Sequence, residues 1–246
     1  MRYKITIEYD GTNLLGWQKQ DEGVSVQYYL EKALYGFSHQ EIDVFGAGRT
    51  DAGVHALGQV AHFDLETKMD LFHIREAFNA WLRELKAPVS VIEVESVSSD
   101  FHARFSAKGR GYIYRILNRR APTVLLADRV WNVGFPLDVE RMKEGAKYLV
   151  GHHDFSSFRG AGCQALSPIK TLDRLEIIKQ GDEIDFIVEA RSFLYHQVRN
   201  MVGTLKSVGD GKFTPEDIKT ILEKKDRASA GATAPACGLY LSKVMY

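Results

Sequence analysis

Apolar and polar residues alternate through Lys4-Ile5-Thr6-Ile7-Glu8-Tyr9, the period of two that marks a half-buried strand, and the run stops at the turn-forming Asp10-Gly11-Thr12-Asn13. Ser25 then precedes Val26, Leu30, Leu34 and Phe37 at helical spacing, which predicts an N-capped helix. Residues 41–47 read as a strand, and residues 59–64 as another with clear alternation. Leu71, Ile74, Phe78 and Trp81 make one stripe of a helix over 70–85, which Ala87-Pro88 stops before residues 89–97 return to strand. The first hundred residues therefore run β-α-β-β-α-β, the order of a split βαβ or ferredoxin-like unit, an antiparallel sheet with helices on one face.

Beyond residue 100 the pattern predicts strands over 111–118, 169–178 and 183–190, helices over 138–149, 195–207 and 215–223, and a closing strand over 238–245. The expected fold class is α+β, with two ferredoxin-like halves, mostly antiparallel sheets and an active cleft between them. The halves are residues 1–100 and 101–246, with the boundary in the stretch 99–104. No repeat or low-complexity linker separates them.

A chain of 246 residues with 45% hydrophobic and 26% charged residues can bury a real core, which argues against disorder and disulfide miniproteins. No apolar run reaches the roughly eighteen residues of a membrane span, and the opening residues lack a signal-peptide core, so the chain reads as cytoplasmic with no membrane partner. Cys163 and Cys237 sit in no C-x-x-C spacing and are expected as free thiols.

Net charge is zero, from 32 basic and 32 acidic residues, but the charges are segregated. Residues 101–127 hold no acid, while Arg104, Lys108, Arg110, Arg115, Arg119 and Arg120 alternate with Phe101, Phe105, Tyr112 and Tyr114. Acid-free windows recur at 155–172, with Phe158 and Arg159, and at 190–209, with Arg191, Phe193, Tyr195 and Arg199. Solvated charged faces would account for each window alone. Brought together, they would make a basic cleft with aromatic surfaces, suited to looped or single-stranded RNA.

Candidate chemistry concentrates in Gly46-Ala47-Gly48-Arg49-Thr50-Asp51-Ala52-Gly53-Val54-His55, where small residues surround one carboxylate and let a ligand or another backbone approach it. The string is neither G-x-G-x-x-G nor a P-loop, which argues against a nucleotide cofactor. His55, His152, His153 and Asp154 invite a metal-dependent phosphodiesterase reading with Asp51, but adjacent histidines on an extended segment point to opposite faces, so no metal is expected. Trp17 and Gln18 fit either an RNA contact or a buried tryptophan.

Ala47 to His55 resembles the catalytic loop of TruA-type tRNA pseudouridine synthases. Glu8-Tyr9-Asp10-Gly11 with Gly16-Trp17-Gln18, then Phe101-His102-Ala103-Arg104-Phe105-Ser106-Ala107, Phe155-Ser156-Ser157-Phe158-Arg159, Val198-Arg199-Asn200-Met201-Val202-Gly203 and Gly238-Leu239-Tyr240-Leu241 are similar to the family's other motifs. The resemblance implies isomerisation of uridine to pseudouridine in the 3′ half of the tRNA anticodon arm, with tRNA as partner, no cofactor, and a homodimer.

It implies Asp51 as the catalytic carboxylate, whether by attack at C1′, addition at C6 or removal of the C2′ proton. Arg199 is implied as the guanidinium that keeps Asp51 ionised, and Tyr112, in Arg110-Gly111-Tyr112-Ile113-Tyr114, as the ring that stacks on uracil. Leu239 would touch the other side of the base. Arg49 would occupy the space a flipped nucleotide leaves, since a stacked uridine must swing out before a carboxylate reaches its sugar. Arg110 and Arg159 complete the substrate-binding set. A non-catalytic RNA-binding module is the rival reading, and Asp51 discriminates, because a pure binder gains nothing from a carboxylate facing phosphates.

Overall fold

A computed structural model describes residues 1–246, and the ten strands and five helices divide between two compact units. The first unit is Met1–Lys108 with Tyr240–Tyr246, and the second is Gly109–Leu239.

In the first unit, β1 (Arg2–Tyr9) buries Tyr3, Ile5, Ile7 and Tyr9, the apolar half of its alternation. Next come α1 (Val26–Ser38), β2 (Phe45–Gly46), β3 (His55–Asp64), α2 (Leu71–Glu84) and β4 (Val89–Val97). Ser25 caps α1 by accepting the Tyr28 N–H at 3.2 Å, and Asp70 caps α2 by accepting from His73 at 2.8 Å. β1 lies antiparallel between β4 and β3, with Ile5 opposite both Val94 and Ala61, and β2 pairs with the other edge of β3, Phe45 opposite His62. That order, β4-β1-β3-β2, is the ferredoxin-like one. Phe78 of α2 meets Phe37 of α1 and Phe63 of β3 edge-on, and Phe63 stacks on Tyr3, so one aromatic column ties both helices to the sheet.

The strand expected over 41–47 shrinks to Phe45–Gly46. Side chains of α1 satisfy the backbone just before it instead: Gln27 donates to the Val44 carbonyl at 3.3 Å and Glu31 accepts the Val44 N–H at 3.5 Å.

The second unit contains β5 (Gly109–Leu117), β6 (Trp131–Asn132), α3 (Val139–Lys147), β7 (Gly151–Asp154), β8 (Ile169–Gln180), β9 (Glu183–Ala190), α4 (Gln197–Gly209) and α5 (Asp217–Lys224). Its sheet runs β5-β9-β8-β7, every one of these pairs antiparallel, with β6 parallel to the far end of β5. Two and four residues long, β6 and β7 are too short to show a period, and the sequence pattern missed them. The helix expected from residue 195 starts at Gln197, because His196 adopts a left-handed φ of 60°.

The closing strand, β10 (Leu239–Met245), follows the second half in sequence, yet Tyr240–Tyr246 belong to the first unit. It pairs in parallel with β3, Tyr240 opposite His55 and Leu241 opposite Ala56. That pairing accounts for β3 beginning four residues before the expected 59.

Candidate active site

Asp51 lies in the loop between β2 and β3, half-buried, at the head of a β-turn. The Val54 N–H donates to the Asp51 carbonyl at 3.1 Å, and Gly53 takes a φ of 77° at the turn's third position. The turn rests on the segment that leaves β1. Trp17 N–H donates to Thr50 O at 3.1 Å, Gly53 N–H reaches Leu14 O at 3.4 Å, and the Tyr9 hydroxyl hydrogen-bonds Thr50 Oγ1 at 2.8 Å.

Glycines make this contact possible. A Cβ on Gly16, whose φ is 87°, would stand 2.3 Å from Thr50 O and 3.0 Å from the Asp51 carbonyl carbon. One on Gly11 would stand 2.1 Å from Val54 O. The opening Asp10-Gly11 and Gly16-Trp17 are thus the bed of the Asp51 turn. Trp17 is buried at 3% exposure, with its ring packed where a side chain on Gly46 would stand, so it is a support for the loop and not an RNA contact. The other flank is pinned by β3: Ala47 N–H donates to Val60 O at 2.7 Å, and buried Gln59 donates to Gly48 O at 2.9 Å. Gly48 has no atom within 4 Å of its would-be Cβ, and Arg49 beside it is exposed.

His55 closes the loop from within. Its Nδ1 accepts the Gly11 N–H at 3.0 Å, which puts the imidazole proton on Nε2, and its ring stacks on Tyr240 at 4.7 Å. The Asp10 carboxylate lies 3.2 Å from the same Nδ1. His152 hydrogen-bonds Thr171 across β7–β8, and Asp154 accepts from Ser156 with Lys225 at 3.3 Å. His55, His152 and Asp154, named in the phosphodiesterase reading, are therefore engaged in local structure.

In the second unit, Arg110, Tyr112 and Tyr114 point to one face of β5 by strand alternation. Tyr112, opposite Val188, meets Phe193 edge-on at 5.2 Å, and Arg110 donates to Arg191 O at 2.9 Å. Tyr114 is fully buried, donates to Pro235 O at 2.8 Å, and has its phenol pushed well above the usual value by that burial.

Arg199 stands in the first turn of α4, half-buried. Its Nε donates to Ala234 O at 2.8 Å while the Ala234 N–H returns to Arg199 O at 3.1 Å, a two-way clamp on backbone. The next residue, Asn200, is fully buried: it donates to Phe158 O at 2.9 Å and accepts from Arg227 at 3.0 Å and Thr233 at 2.7 Å. One turn on, a Cβ on Gly203 would collide with Ala232 O at 1.8 Å. Asn200, Gly203 and Ala234 position Arg199, roles that sequence reading missed. The glycine inside a helical pattern was the available signal.

Arg159 turns inward, donating to Cys163 O and Ala165 O, each at 2.7 Å, and so holds its own loop. Burial pushes the Cys163 thiol up, but amide hydrogen bonds from Ala165 and Tyr195 and the Arg159 guanidinium outweigh it and leave the thiol below its usual value. Cys163 and Cys237 are both free. Leu239 is 6% exposed, at the junction of a 3-10 turn and β10.

Comparison with known proteins identifies the family. A family model described as tRNA pseudouridine synthase matches residues 5–106 and 146–246. The tRNA pseudouridine synthase A of Paramagnetospirillum magneticum is 55% identical over 245 residues, covering all of this chain and 95% of that protein. Those of Rhodospirillum centenum and Ehrlichia ruminantium are 54% and 53% identical, again over all of this chain and 99% and 100% of theirs. The chain belongs to the tRNA pseudouridine synthase family, TruA type.

Proposed function

We propose that Asp51 is the carboxylate with which this family member, an isomerase acting on uridine in the anticodon stem-loop of tRNA, breaks and re-forms the link between uracil and ribose. The N1–C1′ bond opens, the uracil turns, and C1′ is rejoined to C5 of the ring, whose hydrogen leaves as a proton while N1 gains one, so the overall change is an isomerisation. The observation that carries the assignment is the backbone bed under Asp51, which fixes the turn that bears its carboxylate.

The remaining roles follow the chemistry of the side chains. Arg199, clamped on Ala234, is the second charged residue this reading assigns to the reaction. Tyr112 stacks on the extruded uracil with Leu239 as the apolar contact, and exposed Arg49 fills the space the nucleotide leaves. Arg110 meets the RNA backbone, and Arg159 contributes by shaping the 159–165 loop. The enzyme works in the cytoplasm as a homodimer, a state that sedimentation at working concentration checks. No helix is long and apolar enough to cross a membrane.

The test maps pseudouridine in tRNA transcripts treated with the purified protein. Asp51→Asn is expected to bind tRNA within about two-fold of the parent and to lose at least about 10³-fold in turnover. Unchanged turnover would remove Asp51 from the chemistry.

A further inference from the structure

At the edge of β3 in the first unit, a row of rings runs from the interior into solvent. Phe45 of β2 stacks on His62 of β3 with centroids 5.2 Å apart and planes 25° apart. His62, 3% exposed, packs on His102 at 4.6 Å, and His102 on Phe105 at 4.4 Å. His62 is anchored by the Ala103 N–H, which donates to its Nδ1 at 3.2 Å, and by Phe101 edge-on at 6.2 Å. The outer end is open: Phe45 is 48% exposed and Phe105 76%.

Burial does not explain why the turn presents Phe105 this way, because little of the ring is covered. The turn itself is fixed. Ser106 N–H donates to His102 O at 2.9 Å, His102 N–H donates to Ser106 Oγ at 2.9 Å, and Arg104 N–H donates to His102 Nδ1 at 3.1 Å. The Arg104 guanidinium lies over the Phe105 ring at 5.7 Å.

We propose that Phe105, His102 and Phe45 form a pre-ordered platform on which an unpaired base of the tRNA stacks, with Arg104 meeting its phosphate. Charge and ring chemistry select RNA over a protein partner. No acid occurs from residue 101 to 127, and the neighbouring Asp64 is neutralised by the two-pronged grip of Arg2 at 2.9 and 2.8 Å. The exposed groups are flat rings beside an arginine, the pairing that takes unstacked bases with little regard to sequence. Burial, with His102 and Arg2 nearby, lowers His62 to about 4, so the ring beneath Phe45 is uncharged at neutral pH. Phe45 also precedes Asp51 by six positions, on the strand that leads into its loop. This inference rests on the tRNA reading above and adds to it a second, non-reacting nucleotide contact.

The experiment measures tRNA binding by the full chain. Phe105→Ala is expected to weaken affinity about ten-fold, within the roughly five- to hundred-fold range of lost base stacking. Phe105→Trp is expected to restore affinity and to show emission quenched by tRNA beyond the parent's. Matching thermal melts establish that both variants fold. Affinity within two-fold of the parent for Phe105→Ala, with no added quenching for Phe105→Trp, overturns the platform. So does a Phe105→Ala variant whose self-association falls while its tRNA affinity holds, since the patch would then be a protein contact. Quenching by tRNA in a protein that forms no pseudouridine leaves the platform standing and removes the isomerase reading instead.

Discussion

Around Asp51 the chain is held mainly by backbone packed on backbone, at Gly11, Gly16 and Gly53, whereas around Arg199 a clamp on the Ala234 backbone is backed by a side-chain network, Asn200 with Thr233 and Arg227. The two constructions suit different tasks. A carboxylate on a turn needs its Cα fixed, and main-chain contact at under 3.5 Å fixes it without spending polar side chains where a substrate must fit. An arginine reaches through a long stem, so it is aimed by hydrogen bonds along its length, and those bonds need buried polar partners that are themselves satisfied. The first region is therefore intolerant of added atoms, and the second of lost hydrogen bonds.

That contrast is testable in order of effect. Gly16→Ala combines a strained φ with a 2.3 Å approach to Thr50 O, and should destabilise the fold by about 3–5 kcal/mol or displace the Asp51 turn, read by thermal melting and turnover. A melt within 1 kcal/mol of the parent would show that the bed yields. Asn200→Ala leaves the Phe158 carbonyl, Arg227 and Thr233 short of a partner and should remove about 2–4 kcal/mol, with denaturant titration as the measurement. If Asn200→Ala costs less than Gly16→Ala but reduces turnover more per unit of stability lost, the network's task is aiming Arg199.

Acid sharpens the comparison most gently. His62 in the first unit is depressed, by burial first and then by His102 and Arg2, from the ordinary histidine value to about 4. The unfolded chain then binds the extra proton between about 6.5 and 4, so this contribution is complete above 6.5 and is lost as pH falls through that window, about 2 kcal/mol by pH 5. In the second unit, burial raises the Asp185 carboxyl above its ordinary value, with Arg115 opposing. There the sign reverses, because the folded state holds the proton longer and a fall in pH relieves the strain of a buried charge. A urea titration series from pH 7 to 5, with and without His62→Gln, should show the loss only in the parent. An identical slope in both would assign the acid sensitivity elsewhere.

Much of this was legible in the chain. The alternation over 4–9, the cap at Ser25, and the helical stripe of Ile74 and Phe78 are local signals, and each appears where its period or capping chemistry puts it. The Asp51 loop and the motif glycines were visible as strings, though not their purpose. Nothing within a few residues of Gly16 says that Thr50 will lie against it, and nothing near Arg159 says that it will bend back to Cys163 and Ala165. The parallel pairing of Tyr240 with His55 joins positions that no local period relates.

The sequence by itself determined most element types, the ferredoxin-like order of the first unit and the family, and it marked Asp51 as the candidate carboxylate. Periodicity, capping and turn chemistry act over a handful of neighbours, and those neighbours are all written in order along the chain. Tertiary structure alone decided which unit takes β10, that Trp17 is a support, that Arg159 braces a loop, and that Phe105 is left in the open. Those outcomes depend on close packing between distant segments, where a clash of one Cβ or the pairing of one buried donor settles the arrangement.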